Sequence, residues 1–402
     1  MGVSCCPERS PHAPTAAELS RSSSASPDIL TYTYKLRCVC FRALFWGPVC
    51  RVAFRKQIRN SVKMTRGEVV LDHSAVTLGW AHTLAVWLWI GWLTVYLAIL
   101  CVLPVVVYLG VFADSELART GLLWFLGIMS VLAIVPNESK TQPQWALDLG
   151  AWMAKRSAEY FRCKVVVEDP EALKLAKPAF FVLEPHDVLP LSMIAFNDNT
   201  GAMASVGHKC LGCITSICFA VPLMRSFYSW AGAVPATPKV INSMLSNGIS
   251  PCLCPGGVRE VGLITDRTKE IVIFVKERKG FIRIAMAHGV PIVPVFSFGL
   301  RDAYKFFLVK NSLVQWLGRK LGFQPMVFSG AYGIPFGPGA SCSFVNIIGS
   351  PIPCPKKAID KIDKVSDADV DAVHAKYIAA LETLFETHKA NYGYADVKLN
   401  IL

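Results

Sequence analysis

Residues 179–187 read Ala-Phe-Phe-Val-Leu-Glu-Pro-His-Asp. A short apolar run that stops at a polar cluster is the pattern of a strand buried on both faces. Three other stretches repeat it: Lys164–Val167, Pro251–Cys254 and Ile292–Phe296. Helical patterns fall between them, including Phe281–His288. The clearest comes last: Ser366 is placed to cap a helix, Asp367 and Asp369 suit its N-terminal dipole, and Val370, Val373, Tyr377, Leu381, Leu384 and His388 form one face. Alternation of strand and helix predicts an α/β domain over 145–402, a mixed, largely parallel sheet covered by helices.

In such a sheet, polar residues just past a strand's carboxyl end lie where substrates bind. His186 stands there between Glu184 and Asp187, suited to general-base work. Pro255-Gly256-Gly257-Val258-Arg259-Glu260 follows another buried strand, and paired glycines let backbone N–H groups face an oxyanion or a phosphate. Arg278-Lys279-Gly280 opens a helix, where basic groups suit the phosphates of a nucleotide-like ligand. Taken singly, a capped strand end, a tight turn and a solvated charge run explain each motif as well.

The N-terminal third differs in kind. The chain of 402 residues is 53% hydrophobic and 17% charged, where soluble proteins carry about a quarter charged residues. No Asp, Glu, Lys or Arg occurs between Asp72 and Asp114, and a second apolar run covers Gly121–Val135. A bilayer takes about 20 apolar residues, so 76–135 is expected to form a transmembrane hairpin, with Pro104 as a point where the first run kinks. Trp145–Phe161 has helical spacing and fits either an interfacial helix or one packed on the domain. Residues 1–66 are Ser- and Arg-rich, without helical periodicity, and read as a disordered leader. Met1-Gly2 with Cys5 and Cys6 is only a partial lipidation signal.

The net charge of +12 is concentrated in that leader, and Lys155, Arg156, Arg162 and Lys164 follow the second apolar run. Basic flanks on both sides place both termini in the cytosol beside anionic lipid. The Asn137-Glu-Ser139 sequon would then go unused. Charge without interleaved aromatics gives no nucleic-acid surface. The 14 scattered cysteines fit a reducing setting. Cys210 and Cys213 with His208 lack a second ligand pair at zinc spacing, so no metal site is expected.

Phe181–Ser192, Cys254–Glu260 and Glu277–Gly299 occur in order, followed by Gly349–Lys356 and Tyr377–Gly393. This set, within a resemblance running from about Leu84 to the C-terminus, resembles the type-2 acyl-CoA:diacylglycerol acyltransferase family. Its Glu-Pro-His form is closer to plant, algal and fungal members than to animal ones, which tend to read His-Pro-His-Gly. The resemblance implies a glycerolipid acyltransferase-like domain behind a membrane hairpin, in an endoplasmic-reticulum protein that also associates with lipid droplets. It implies acyl-CoA, diacylglycerol and membrane lipid as partners, no bound cofactor, and leaves a homo-oligomer open. By motif match His186 is the base, with Glu184, Asp187 or Glu260 as supporting carboxylate; Pro255, Gly256, Gly257, Arg278, Lys279 and Gly280 serve the acyl-CoA and the oxyanion. The wider glycerolipid acyltransferases carry His-x4-Asp, whereas Leu191 stands at that position here. Monoacylglycerol or a fatty alcohol as acceptor, an acyl-enzyme on Cys252, Cys254 or Ser192, and a non-catalytic lipid-droplet tether are the competing readings.

Overall fold

The computed structural model describes residues 67–112, 115–134, 142–222, 224–264, 266–309, 311–321, 324–355 and 365–402. The leader with its basic residues, Gly2, Cys5 and Cys6, and the Asn137 sequon lie outside the described residues. Everything below concerns one compact unit, Met64–Leu402.

The strands are β1 (Glu68–Asp72), β2 (Lys164–Val167), β3 (Phe180–Glu184), β4 (Cys210–Ile214), β5 (Val234–Pro235), β6 (Ser250–Leu253), β7 (Glu270–Ile273), β8 (Ile292–Phe298), β9 (Lys305–Leu308), β10 (Met326–Ser329), β11 (Val345–Ile348) and β12 (Lys398–Ile401). Eight form the main sheet, in the order β1-β2-β11-β8-β3-β6-β4-β5. Only β1–β2 and β11–β8 pair antiparallel. The expected mixed, largely parallel sheet is therefore present. β3 and β8 lie at its middle and are buried throughout, because helices cover both faces.

The helices that shape the site are α1 (Trp80–Ile90), α2 (Trp92–Val111), α3 (Glu116–Ile134), α4 (Gln144–Tyr160), α5 (Met224–Trp230), α6 (Pro238–Ser246), α7 (Gly257–Leu263), α8 (Gly280–His288), α9 (Ser312–Leu321) and α10 (Asp367–His388). The two-residue period of β3 divides the core. Phe180 and Val182 join Tyr377, Leu381 and Phe385 of α10 on one face. Phe181 and Leu183 join Ala158 of α4 and Val86 and Ile90 of α1 on the other. Ser366 caps α10 as expected, its Oγ accepting from the Asp369 amide at 3.2 Å. The alternative left open for 145–161 resolves towards packing: α4 buries Ala146, Met153, Ala158 and Tyr160. Gly150 meets α5 so closely that a Cβ there would lie 1.8 Å from the Trp230 carbonyl.

The apolar stretch at 76–135 behaves differently from the expected transmembrane hairpin. Its first part, α1, buries Ala85, Val86 and Ile90 in the domain core. Among the described residues no helix is long and apolar enough to cross a membrane. The physical reason is that a fully buried core helix and a bilayer helix have the same composition, so an unbroken apolar run hides the junction between them. α2 contains Pro104 within its 20 residues, and α3 opens with Glu116. β1, immediately before the run, pairs with β2 and forms the edge of the main sheet.

Candidate active site

β3 ends at Glu184, and strand alternation sends its side chain to the same face as Phe180 and Val182. There it is completely buried beside Glu260 of α7, with no hydrogen-bond partner of ordinary geometry for either oxygen. Burial, and the Glu260 carboxyl next to it, push Glu184 well above the usual carboxylate range; the Gly256 amide pulls the other way. Burial raises Glu260 to about 7, against the downward pull of Glu184 and of the His186 and Phe274 amides. Two carboxyls in one dry pocket do not both ionise. Both Glu260 oxygens accept from backbone amides, which favours Glu260 as the ionised acceptor of the pair.

Glu260 uses that capacity on the backbone. Its Oε1 accepts from the His186 amide at 2.5 Å and its Oε2 from the Phe274 amide at 3.2 Å. Gly256 makes room for it: a Cβ there would fall 2.2 Å from Glu260 Oε2. Asp187, in left-handed backbone at φ 51°, turns its carboxylate away from the imidazole. Its Oδ1 accepts from the Val188 amide at 2.6 Å and from Arg267 Nη1 at 2.8 Å. Arg267 also donates to the Tyr304 carbonyl at 2.6 Å and stacks over Phe306.

Among the described residues, the imidazole of His186 therefore has no hydrogen-bonded side-chain carboxylate. Nδ1 lies 2.8 Å from the Asp187 carbonyl oxygen, an acceptor only, so Nδ1 carries the hydrogen and Nε2 the lone pair. Burial holds the imidazolium form down, against the opposing pull of the Asp187 carbonyl and carboxylate. The ring is neutral at physiological pH, in the tautomer a base needs. The structure thus brings His186, Glu184, Asp187 and Glu260 into one cluster, with three distinct roles for the three carboxyls.

His186 opens onto a cavity of about 1720 Å³, well above the roughly 300–1,000 Å³ of ordinary small-molecule sites. Pro255, Gly256, Gly257, Arg278, Lys279 and Gly280 line it as well, so the three motifs read as catalytic or ligand-binding meet there. Most of the wall is apolar, contributed by Trp89 and Ile90 of α1, Met193, Ile214, Ile241 of α6, Ile284 of α8, and Met326, Phe328 and Phe336. One end is cationic. Lys279 pairs with Asp371 at 2.6 Å and Arg283 with Asp367. Arg278 stacks on Phe274, has a buried Nε without a hydrogen-bond partner, and makes no ion pair among the described residues. Gly257 takes φ 53° with open space on its Cβ side, at the start of α7.

The competing nucleophiles fit poorly. Burial pushes the Cys252 thiol far up, and the Glu184 and Glu260 carboxyls add to burial in doing the same to Cys254. Ser192 is completely buried and is not part of the cavity lining. His208, read as one of three candidate ligands, bonds Ser250 Oγ and the Leu173 carbonyl, while Cys210 and Cys213 are strand residues of β4. Arg267 and the α1 wall carried no signal in the sequence: each is ordinary until the fold carries it to the site.

A neutral imidazole facing a long apolar cavity with a cationic end is the equipment of an enzyme acting on long-chain amphiphiles that bear an anionic group. Comparison with known proteins narrows this class. Residues 117–402 match the family model described as diacylglycerol acyltransferase. The chain is 26% identical over 297 residues to diacylglycerol O-acyltransferase 2 of Xenopus tropicalis, covering 69% of this chain and 79% of that one. It is 31% identical over 193 residues to the human acyl-CoA wax alcohol acyltransferase 1, covering 45% and 56%. To the human 2-acylglycerol O-acyltransferase 3 it is 25% identical over 279 residues, covering 64% and 77%. No solved structure matches the chain significantly. The chain belongs to the diacylglycerol acyltransferase family.

Proposed function

We propose that this chain transfers the acyl group of acyl-CoA to the free hydroxyl of diacylglycerol, forming triacylglycerol, with His186 as general base. The observation that carries this reading is the neutral imidazole, its Nδ1 committed to the Asp187 carbonyl, facing a cavity large enough for an acyl chain and its acceptor. Nε2 takes the hydroxyl proton as the alkoxide oxygen attacks the thioester carbonyl. The Gly257 amide at the start of α7 is the donor for the resulting oxyanion. Collapse breaks the C–S bond, coenzyme A leaves as thiolate, and the proton on His186 passes to it. Arg278, which makes no ion pair among the described residues, takes a phosphate of the coenzyme. The chemistry asks for no bound cofactor, because base, oxyanion donor and leaving group are all supplied.

Glu260 acts through the backbone. It fixes the His186 amide, and Arg267 with Asp187 fixes the next residue, so the imidazole is presented from a clamped loop. A tether would have no use for this clamp. The exposed side chains Val102, Val105, Tyr108 and Phe112 of the α2 segment, and Leu117, Leu123, Trp124 and Val131 of α3, support placement of these two helices in the bilayer. The endoplasmic reticulum, with both termini cytosolic, and the lipid droplet complete this reading.

The acceptor is tested with labelled acyl-CoA and membranes from a host lacking storage-lipid synthesis, offered diacylglycerol, monoacylglycerol and a fatty alcohol in turn. Label in triacylglycerol is expected. Label in wax ester or diacylglycerol alone moves the acceptor and keeps the base. No transfer to any acceptor by well-expressed protein favours the tether.

A further inference from the structure

Between β9 and β10 the chain leaves the sheet, forms α9, and returns. β9 and β10 pair antiparallel with Phe307 opposite Val327 and Phe306 opposite Phe328. The two-residue period therefore gives this hairpin two unlike faces. Phe328 lines the catalytic cavity, and Phe306 lies under Arg267. The outward pair, Phe307 and Val327, is 67% and 45% exposed.

Several described side chains of α9 put apolar groups outward and a polar one inward. Its polar Gln315 turns inward, donating to the Val309 carbonyl at 2.5 Å and accepting from Gln324 at 3.0 Å. Gly318 is buried. Leu313 and Trp316, three residues apart on one face, are 69% and 47% exposed, and Lys320 on the same face reaches back over the Trp316 ring at 4.2 Å. An apolar helix face left exposed among the described residues calls for a partner.

Charge and continuity identify that partner. No Asp or Glu occurs between Asp302 and Asp360, whereas Lys305, Lys310, Arg319 and Lys320 lie within or beside the excursion. An apolar face that carries Lys320, its stem over the Trp316 ring, in a stretch with basic and no acidic residues, matches a bilayer surface bearing anionic headgroups. The segment that follows β10 links the hairpin to the apolar helices: Thr94 Oγ1 of α2 donates to the Pro335 carbonyl at 3.2 Å, and Pro335 bridges to Ser329 of β10.

We propose that β9, α9 and β10 form a second membrane-docking element, lying in the plane of an anionic bilayer surface, whose inner face contributes to the cavity wall. It rests on the membrane placement proposed above and is independent of which acceptor is used. Docking here brings Met326 and Phe328, and hence the cavity, to the lipid from which a diacylglycerol is drawn.

The test uses the full chain in membranes. A photo-crosslinking p-benzoylphenylalanine replaces Leu313, Phe307 or, as an exposed control, Leu175, which is 88% exposed on a short helix elsewhere. Phospholipid adducts at Leu313 and Phe307 and none at Leu175 are expected. In parallel, Leu313→Asp/Trp316→Asp is expected to lower transfer to membrane-held diacylglycerol roughly tenfold, about the worth of one buried apolar side chain. Transfer to a short-chain diacylglycerol supplied in water should stay unchanged. Absence of lipid adducts at Leu313 and Phe307, adducts to protein instead, or equal adducts at all three sites overturns the proposal. If the chain stays in the membrane pellet in those cases, the α2–α3 placement survives and only the second element falls. Failure of the wild type to transfer any acyl group would strike the enzyme reading and leave the adducts to decide docking.

Discussion

Gly256 and Gly257 are adjacent, and the structure requires them for different reasons. At Gly256 a methyl group would collide with the Glu260 carboxylate, which is not free to swing away because it holds the His186 and Phe274 amides. At Gly257 there is space, and only the left-handed backbone objects. Gly256→Ala should therefore displace Glu260 and with it the imidazole. A misplacement of this kind lowers kcat on the order of 10²-fold. Gly257→Ala should lose about 1–2 kcal/mol of stability and keep most of its activity. Parallel kcat and thermal-denaturation measurements on the purified variants check this; the reverse order of damage would contradict the assigned roles. The same two glycines were legible in the sequence as a ligand-facing pair. That one of them serves a carboxylate inside the protein was not, because the collision involves a residue four positions on that only a helical turn brings back.

Among the elements, those with a local signature were readable and those defined by what lies beside them were not. β3, β6 and β8 announce themselves as continuous apolar runs, since strands covered on both faces have no polar side to show. α10 was readable from its cap, its acidic first turn and its stripe. β4 was not legible as a strand: Cys210 and Cys213 were weighed as a metal pair and set aside for want of a second one, and both are buried in the core. α1 was lost within the apolar run, although Ile90, 2% exposed, closes the core and lines the cavity. Ile90→Ala should destabilise the domain by about 2–5 kcal/mol, seen as a lowered Tm in detergent. An unchanged Tm would return α1 to the bilayer. The Asp187–Arg267 pair joins residues 80 positions apart, and no spacing rule reaches that far.

At the scale of the molecule, the sheet does one thing for function: it gathers the ends of β3 and β6 and the start of α8 around a single cavity. Three sequence motifs that are commonplace apart become one site because the β6–β3–β8 order places them side by side. The clamp on the Glu-Pro-His-Asp loop is then shared between a proton-sharing carboxyl pair on one side and an ion pair on the other. Of the titratable groups in this cluster, His186 lines the cavity, and Glu184, Asp187 and Glu260 do not. The most direct test compares wild type with His186→Ala in membranes of a host lacking storage-lipid synthesis, reading labelled triacylglycerol formed and acyl-CoA bound. The account predicts a loss of roughly 10²–10⁴-fold in transfer, the usual contribution of a positioned base, with acyl-CoA binding retained. Transfer at the wild-type rate by a folded His186→Ala protein would contradict it.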